Sequence, residues 1–227
     1  MSTLGSNLES VRSQIAQACE NAGRDQKEVR LITVTKTWPA EVLQSVIDAG
    51  CPDIGENRVQ EIVQKVPALS GTRVVHMIGH LQSNKVAKVV PLVDWIHSVG
   101  SRKLLNRVEQ QCEINSRNIN ILVQVNTSGE MSKSGCDPDD AYALCKEAAG
   151  CSHVSFRGLM TIGPFVNDEE EVRESFIMLR EIGNQCRDLS DKPLEFSMGM
   201  SGDFRIAIEE GSTMVRVGSL ILGNRGY

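Results

Sequence analysis

The residue whose type and position most clearly indicate reactivity is a lysine at the end of a strand-like run. Lys36 directly follows the β-rich residues 29–35, and strand alternation puts its side chain on the same face as Ile32 and Val34. If that face points into the interior, partial burial disfavours the ammonium ion and leaves a nucleophilic amine, which forms imines with aldehydes. The alternative is a lysine that extends its charged end into solvent from a strand end.

Two loops near the C-terminus are candidate phosphate-binding segments. Gly218 and Ser219 follow the β-rich residues 213–217 and offer backbone N–H groups and a hydroxyl. Ser201 lies in a second loop, residues 198–203, which precedes a predicted helix. Backbone N–H groups at such loops and helix starts bind phosphate. Neither loop is diagnostic alone, but the two loops together with an inward lysine favour a phosphate site.

Polar side chains also end the other β-rich runs. They are Asn57, His76, His80, Ser98, Asn126, Thr161 and Arg216. Histidines in such places are more often structural than catalytic, and neither Tyr142 nor Tyr227 is placed as an acid–base partner. The seven cysteines and four histidines show no spacing typical of a metal site. We therefore expect no metal and assign no catalytic residue.

The elements that must position these residues are short β-rich runs that alternate with amphipathic helices. The runs cover residues 29–35, 53–57, 73–78, 94–99, 120–125, 154–159, 194–197 and 213–217, and a helix over about 6–22 precedes them. This pattern predicts an α/β protein, a single (β/α)8 TIM barrel with an extra N-terminal helix, in which residues 1–227 form one domain. An open doubly wound sheet is the rival, but the turn at residues 35–39 lacks its glycine motif. The C-terminal ends of barrel strands form one rim, so the polar residues above would converge there.

Composition limits the classes of partner. The chain has 24 basic and 29 acidic residues, a net charge of −5, which argues against binding to nucleic acid or to an anionic membrane surface. Its apolar runs are too short for a membrane span, and the first residues lack the basic flank and apolar block of a signal peptide. An odd number of cysteines without a C-x-x-C pair indicates reduced thiols. We expect a cytoplasmic protein, and we expect it to be a monomer.

Several segments together resemble the pyridoxal 5′-phosphate (PLP) homeostasis protein family, and the match runs nearly end to end. They are residues 34–37 (VTKT), 55–61 (GENRVQE), 76–85 (HMIGHLQSNK), 125–128 with 132–135, 157–162 (RGLMTI), and 196–203 with 215–219. Taken together these segments are highly specific, whereas no single one is. The departures are mild, since Val217 and Leu222 stand where the family more often has isoleucine and phenylalanine.

The resemblance implies a PLP-binding barrel like the cofactor domain of alanine racemase. It implies that Lys36 holds PLP as a Schiff base and that Ser201, Gly218 and Ser219 contact the phosphate. Arg216 would face the pyridine nitrogen, and Asn57 would lie beside the cofactor. The implied partners are PLP itself and the PLP-dependent apo-enzymes that would receive it.

Two functions from different classes follow from this resemblance. One is a PLP carrier in vitamin B6 homeostasis without efficient turnover, and the other is a PLP-dependent, racemase-like enzyme. Arginine gives up its own proton too reluctantly to keep the pyridine nitrogen protonated, which weakens the ring as an electron sink. Racemases with this arginine take a second base, a tyrosine, from an additional domain, for which we see no room here. We therefore favour the carrier. A sugar-phosphate barrel enzyme with an aldolase-type lysine is a third hypothesis.

Overall fold

The eight predicted β-rich runs form a closed barrel of parallel strands in the computed structural model, which describes residues 3–130 and 134–223. The strands are β1 (Arg30–Val34), β2 (Asp53–Glu56), β3 (Val74–Met77), β4 (Trp95–Val99), β5 (Ile119–Gln124), β6 (Val154–Met160), β7 (Glu195–Met200) and β8 (Met214–Val217). Each strand pairs with the next one in sequence, and β8 closes onto β1. The predicted (β/α)8 TIM barrel is confirmed.

Helices connect the strands and cover the barrel. They are α1 (Thr3–Asn21), α2 (Ala40–Asp48), α3 (Val59–Lys65), α4 (Val86–Val89), α5 (Arg102–Ile114), α6 (Pro138–Ala149), α7 (Glu169–Gln185), α8 (Phe204–Glu209) and α9 (Ser219–Leu222). The extra N-terminal helix is α1, which packs against α8 and α9. A 3₁₀ turn at Ser83–Lys85 directly precedes α4.

Local sequence explains where several helices begin. The Ser101 side chain accepts a hydrogen bond from the N–H of Leu104 at 3.3 Å and caps α5. Asp168 caps α7 in the same way, and Asp137 caps α6, whose first residue is proline. These residues satisfy amide groups that the first turn of a helix leaves unpaired.

Two apolar layers hold the barrel together. Inside it, a small cluster contains Ile32, Trp95, Leu122, Met160 and Met214, so the inward face predicted for Ile32 is confirmed. A much larger layer fills the space between the strands and the surrounding helices. Strands that are covered on both faces show near-continuous burial, and all five residues of β4 are buried.

Three further properties concern membrane spans, metal sites and cysteines. In the part of the chain that the structure describes, no helix has the length and apolar character needed to cross a membrane. The same described ranges contain no cluster of three or more side chains suited to hold a metal ion. All seven cysteines lie within those ranges and carry free thiols.

Candidate functional site

Lys36 lies at the C-terminal rim of the barrel, in the turn that follows β1. We call residues 35–37 the lysine turn. Thr37 has a φ of 67°, a left-handed conformation that is uncommon for a β-branched residue. Lys36 is exposed, so the partly buried amine expected from the sequence is not found. The reason is that β1 ends at Val34, and strand alternation no longer fixes the direction of a side chain within a turn.

Neighbouring strands bring two other predicted site residues to the same side of the rim. Val34 pairs with Gly55 in β2, so Lys36 and Asn57 follow the C-terminal ends of two neighbouring strands. Thr33 pairs with Val217 in β8, so Gly218 lies beside Val34, where an added Cβ would stand 3.0 Å from the Val34 carbonyl oxygen. The absence of a side chain at Gly218 therefore allows β8 and the end of β1 to approach closely.

The two predicted phosphate loops adjoin each other. The Gly218 N–H donates a hydrogen bond to the Ser201 hydroxyl oxygen at 3.4 Å. Ser201 is half-buried, and Ser219 begins α9 with an exposed side chain. Asp203 accepts a hydrogen bond from the N–H of Met200 at 2.5 Å and fixes the loop that carries Ser201. Both serine hydroxyls thus belong to one part of the rim.

Arg216 lies below this rim, with only 4% of its surface exposed. Its Nη1 donates to the Ser197 carbonyl at 2.8 Å and to the Ser197 hydroxyl at 2.7 Å, and its Nη2 donates to the Thr161 carbonyl at 2.9 Å. These contacts use three of the five N–H donors of the guanidinium group. Burial lowers the pKa of Arg216 to about 10, against the opposing effect of Asp203. The side chain therefore remains a guanidinium ion at neutral pH and can only donate.

Inside the barrel, two histidines join Arg216 to the opposite end of the strands. Their ring nitrogens approach to 2.9 Å, between His76 Nδ1 and His97 Nε2. His76 Nε2 lies 3.0 Å from Asp53 Oδ1, and His97 Nδ1 lies 2.9 Å from the Ser197 hydroxyl. Sequence reasoning treated His76 as a rim or core histidine, and the structure places it in the core.

A buried ionic cluster behind the rim holds the lysine turn. Lys65 Nζ lies 3.1 Å from Glu56 Oε1, donates to the Thr35 carbonyl at 3.3 Å, and also pairs with Glu61. The Thr35 hydroxyl donates to Glu56 at 2.7 Å, and the Thr37 N–H donates to Glu61 at 2.6 Å. The sequence analysis missed this cluster. The i,i+4 spacing of Glu61 and Lys65 on α3 was its available signal.

The side chains of the remaining candidate polar residues make their contacts elsewhere. His80 is exposed, and its Nδ1 lies 3.3 Å from the Ser134 hydroxyl. The Ser98 hydroxyl is buried without a partner in the described structure. The Asn126 amide donates to the Glu130 carbonyl, and Thr161 is buried against Thr127. Tyr227 and the first two residues of the segment 132–135 lie outside the described residues.

Comparison with known proteins identifies this arrangement. The fold is that of a barrel of the alanine racemase N-terminal type, and the family model of that domain matches residues 6–226. The chain belongs to the pyridoxal phosphate homeostasis protein family. The protein of that name from Vibrio cholerae is 38% identical over 234 residues, which cover 100% of this chain and 98% of the relative.

Solved structures agree with this assignment. PipY of Synechococcus elongatus with PLP bound superposes with a TM-score of 0.84 at 33% identity, covering 97% of this chain and 100% of that one. An alanine racemase from Clostridium difficile superposes with a TM-score of 0.78 at 14% identity, covering 100% of this chain and 58% of that one. The second similarity shows a shared fold alone.

Proposed function

We propose that this protein binds PLP through Lys36 and acts in intracellular PLP (vitamin B6) homeostasis, without efficient catalytic turnover. The observation that carries the proposal is the convergence at one side of the rim of an exposed lysine, two adjoining serine loops and a buried arginine. The PLP complex of the relative PipY supports the choice of ligand.

The residues present fit the chemical groups of PLP. The contacts of Arg216 to Ser197 and Thr161 use three of the five N–H donors of its guanidinium group, and a remaining donor would suit an acceptor such as the unprotonated pyridine nitrogen. The hydroxyls of Ser201 and Ser219, with the backbone around Gly218, would bind the phosphate. Asn57 would lie beside the ring, after the strand that neighbours β1.

Lys36 supplies the primary amine that this binding mode requires. When bound, PLP supplies an aldehyde that condenses with an amine to a Schiff base. The Lys36 nitrogen would attack the aldehyde carbon, and the carbonyl oxygen would leave as water. The exposed position of Lys36 keeps its amine within reach of a ligand that arrives from solvent.

The surroundings of this lysine favour retention of the cofactor over turnover. The basic group that would face the ring nitrogen is Arg216, which donates hydrogen bonds and holds its proton. Tyr142 lies exposed on α6, away from the strand ends that would hold the cofactor, and we assign it no acid–base role. A weak racemase-like activity is the second candidate function, and the fold shared with alanine racemase favours it.

We also propose the wider context of this activity. The chain would act as one unit over residues 1–227, as a monomer in the cytoplasm. It would deliver PLP to apo-enzymes without binding nucleic acid or a membrane. Light scattering of the purified protein tests the monomer, and activation of a PLP-depleted aminotransferase tests the delivery.

Borohydride trapping tests the attachment to Lys36. Protein incubated with PLP should show a visible Schiff-base band that borohydride removes, and peptide mapping should place the reduced label on Lys36. Lys36→Ala should lack the band, while Lys103→Ala, which changes an exposed lysine on α5, should retain it. A label on another lysine, or an unchanged band in Lys36→Ala, would refute this attachment.

A further inference from the structure

A continuous line of hydrogen bonds crosses the inside of the barrel. It joins Asp53, His76, His97, Ser197 and Arg216, and we call these five residues the interior chain. Its four contacts measure 3.0, 2.9, 2.9 and 2.7 Å in that order. The two histidines and Ser197 are wholly buried, whereas Asp53 begins β2 at the amino end of the barrel and keeps 18% of its side chain exposed.

The two ends of the interior chain fix the direction of every hydrogen bond within it. A guanidinium ion only donates and an ionised carboxylate only accepts. Arg216 therefore donates to Ser197, whose single hydroxyl proton goes to His97 Nδ1. His97 then carries its proton on Nε2 and donates to His76 Nδ1. His76 in turn carries its proton on Nε2 and donates to Asp53.

This direction makes both imidazoles neutral and gives each a defined tautomer. The opposite direction would need His97 to donate to Ser197 and His76 to donate to His97. His76 Nε2 would then face the Asp53 carboxylate without a proton, unless one additional proton entered at Asp53 or His76. A change of direction is thus linked to proton uptake at the amino end.

Burial opposes that uptake. It lowers the pKa of His76, against the raising effect of Asp53, and lowers the pKa of His97 well below its ordinary value. Other charges that face the histidines are Arg30, 3.8 Å from Asp53, and Asp94. In a low-dielectric interior, aligned hydrogen bonds also polarise and strengthen one another.

We propose that the interior chain positions Arg216 toward the ring nitrogen of the bound cofactor. Asp53, at the far end of the barrel, is then a positioning residue that acts through this chain. The part of this inference that concerns PLP rests on the proposed function. The part that concerns the histidines does not, because it follows from the contacts inside the barrel alone.

Nitrogen NMR of the histidine rings tests the direction in the unaltered protein without PLP. We expect His76 and His97 both to be neutral at pH 7, each with its proton on Nε2. Ser197→Ala should separate Arg216 from the histidines and leave His97 Nδ1 without its donor, while the His97 proton stays on Nε2 because His76 Nδ1 still accepts it. A proton on Nδ1 of either ring, or a doubly protonated ring, would overturn the proposal whether or not PLP binds.

Variants at the far end test the effect on the cofactor. Asp53→Ala should move the visible band of bound PLP and reduce PLP retention about tenfold, the effect of losing one charge-assisted hydrogen bond. Asp53→Asn, which keeps an acceptor for His76, should restore most of both. The matched control is Asp94→Ala. This variant also removes a carboxylate at the amino end of the barrel, but that carboxylate accepts from the Val75 N–H and not from His76.

The outcomes separate the two proposals. Absence of a visible band in the unaltered protein contradicts PLP binding and leaves the NMR result to decide on the interior chain. A normal band that moves equally in Asp53→Ala and Asp94→Ala contradicts the positioning role of Asp53. If Asp53→Ala does not fold, Ser197→Ala and the ring NMR of the unaltered protein decide.

Discussion

Lys65 and Glu56 form a buried ion pair directly behind the strand end that carries Lys36. The ammonium nitrogen of Lys65 lies 3.1 Å from Oε1 of Glu56, and their side chains are 8% and 0% exposed. Because the same two residues also bond to the carbonyl and hydroxyl of Thr35, the pair fixes the first residue of the lysine turn. The ion pair thus links the packing of α3 to the position of the proposed cofactor lysine.

Removal of the cation from this cluster should be strongly destabilising. Lys65→Met leaves the buried carboxylate of Glu56 without its partner, and we expect a loss of about 3–5 kcal/mol in the free energy of unfolding. Urea denaturation measures it. The matched control is Lys88→Met on the exposed side of α4, with an expected change within about 0.5 kcal/mol. Equal losses in the two variants would mean that the cluster does not brace the turn.

The same cluster predicts a pH dependence of stability. Burial raises the pKa of Glu56 from 4.5 to about 7, against the opposing effects of Thr35 and Lys65. The folded state holds the Glu56 proton more tightly than the unfolded chain does. The resulting contribution to the free energy of unfolding is therefore complete below pH 4.5 and is lost as the pH rises through about 7. The slope should not exceed about 1.4 kcal/mol per pH unit, the value for one proton.

Glu56→Gln should flatten the unfolding free energy between pH 5 and 7, as measured by urea titration at a series of pH values. The pKa of Glu61 shifts in the opposite direction, so Glu61 affects stability in a different pH range. Burial acts to raise its pKa, but hydrogen bonds from Lys65 and Thr37 prevail and lower it, so its contribution is lost only as the pH falls below its ordinary range. An unchanged slope in Glu56→Gln would contradict the assignment to Glu56.

The serine loops predict a preference for the phosphorylated cofactor. Ser201→Ala and Ser219→Ala should each weaken PLP retention by about 1–2 kcal/mol, because each removes one hydrogen bond to a charged group. Equilibrium dialysis measures the retention. Ser152→Ala, which changes an exposed serine before β6 at the other end of the barrel, should have no effect. Pyridoxal should bind the unaltered protein as poorly as it binds the double variant; equal binding of pyridoxal and PLP would exclude these loops as the phosphate site.

The proposed function predicts very slow chemistry at the α-carbon of amino acids. In that proposal Arg216 would not keep a proton on the ring nitrogen, and water at the rim would weaken electrostatic stabilisation of a carbanion. Each missing contribution of about 1.4 kcal/mol slows a reaction tenfold. Proton–deuterium exchange of L-alanine in heavy water is the measurement, and exchange at about 1 per second or faster would restore the enzyme hypothesis.

The sequence predicted the barrel because its signals are local. Turn residues separate the strand runs from amphipathic helices, and three of these helices have a capping side chain, as at Ser101 and Asp168. Strand alternation also placed Ile32 correctly in the interior. It did not place Lys36, because alternation applies only within the strand, which ends at Val34.

The interior chain could not be predicted because its members are distant in sequence. His97 and Ser197 are 100 residues apart, and their contact depends on how the strands tilt across the closed barrel. Alternation could have signalled only that His97 shares a face with Trp95. The Lys65 cluster escaped prediction for a related reason, since a lysine on an amphipathic helix is expected to face solvent.

The exposure of Lys36 has a consequence for how the protein would part with its cofactor. A second amine, such as the lysine of an acceptor enzyme, could approach the imine from solvent at the exposed Lys36. Handover would then proceed by direct replacement of one amine by another, with Lys36 as the leaving group and no free aldehyde released into solution. The rate of delivery would depend on encounter between two proteins, and it would rise with the concentration of the acceptor.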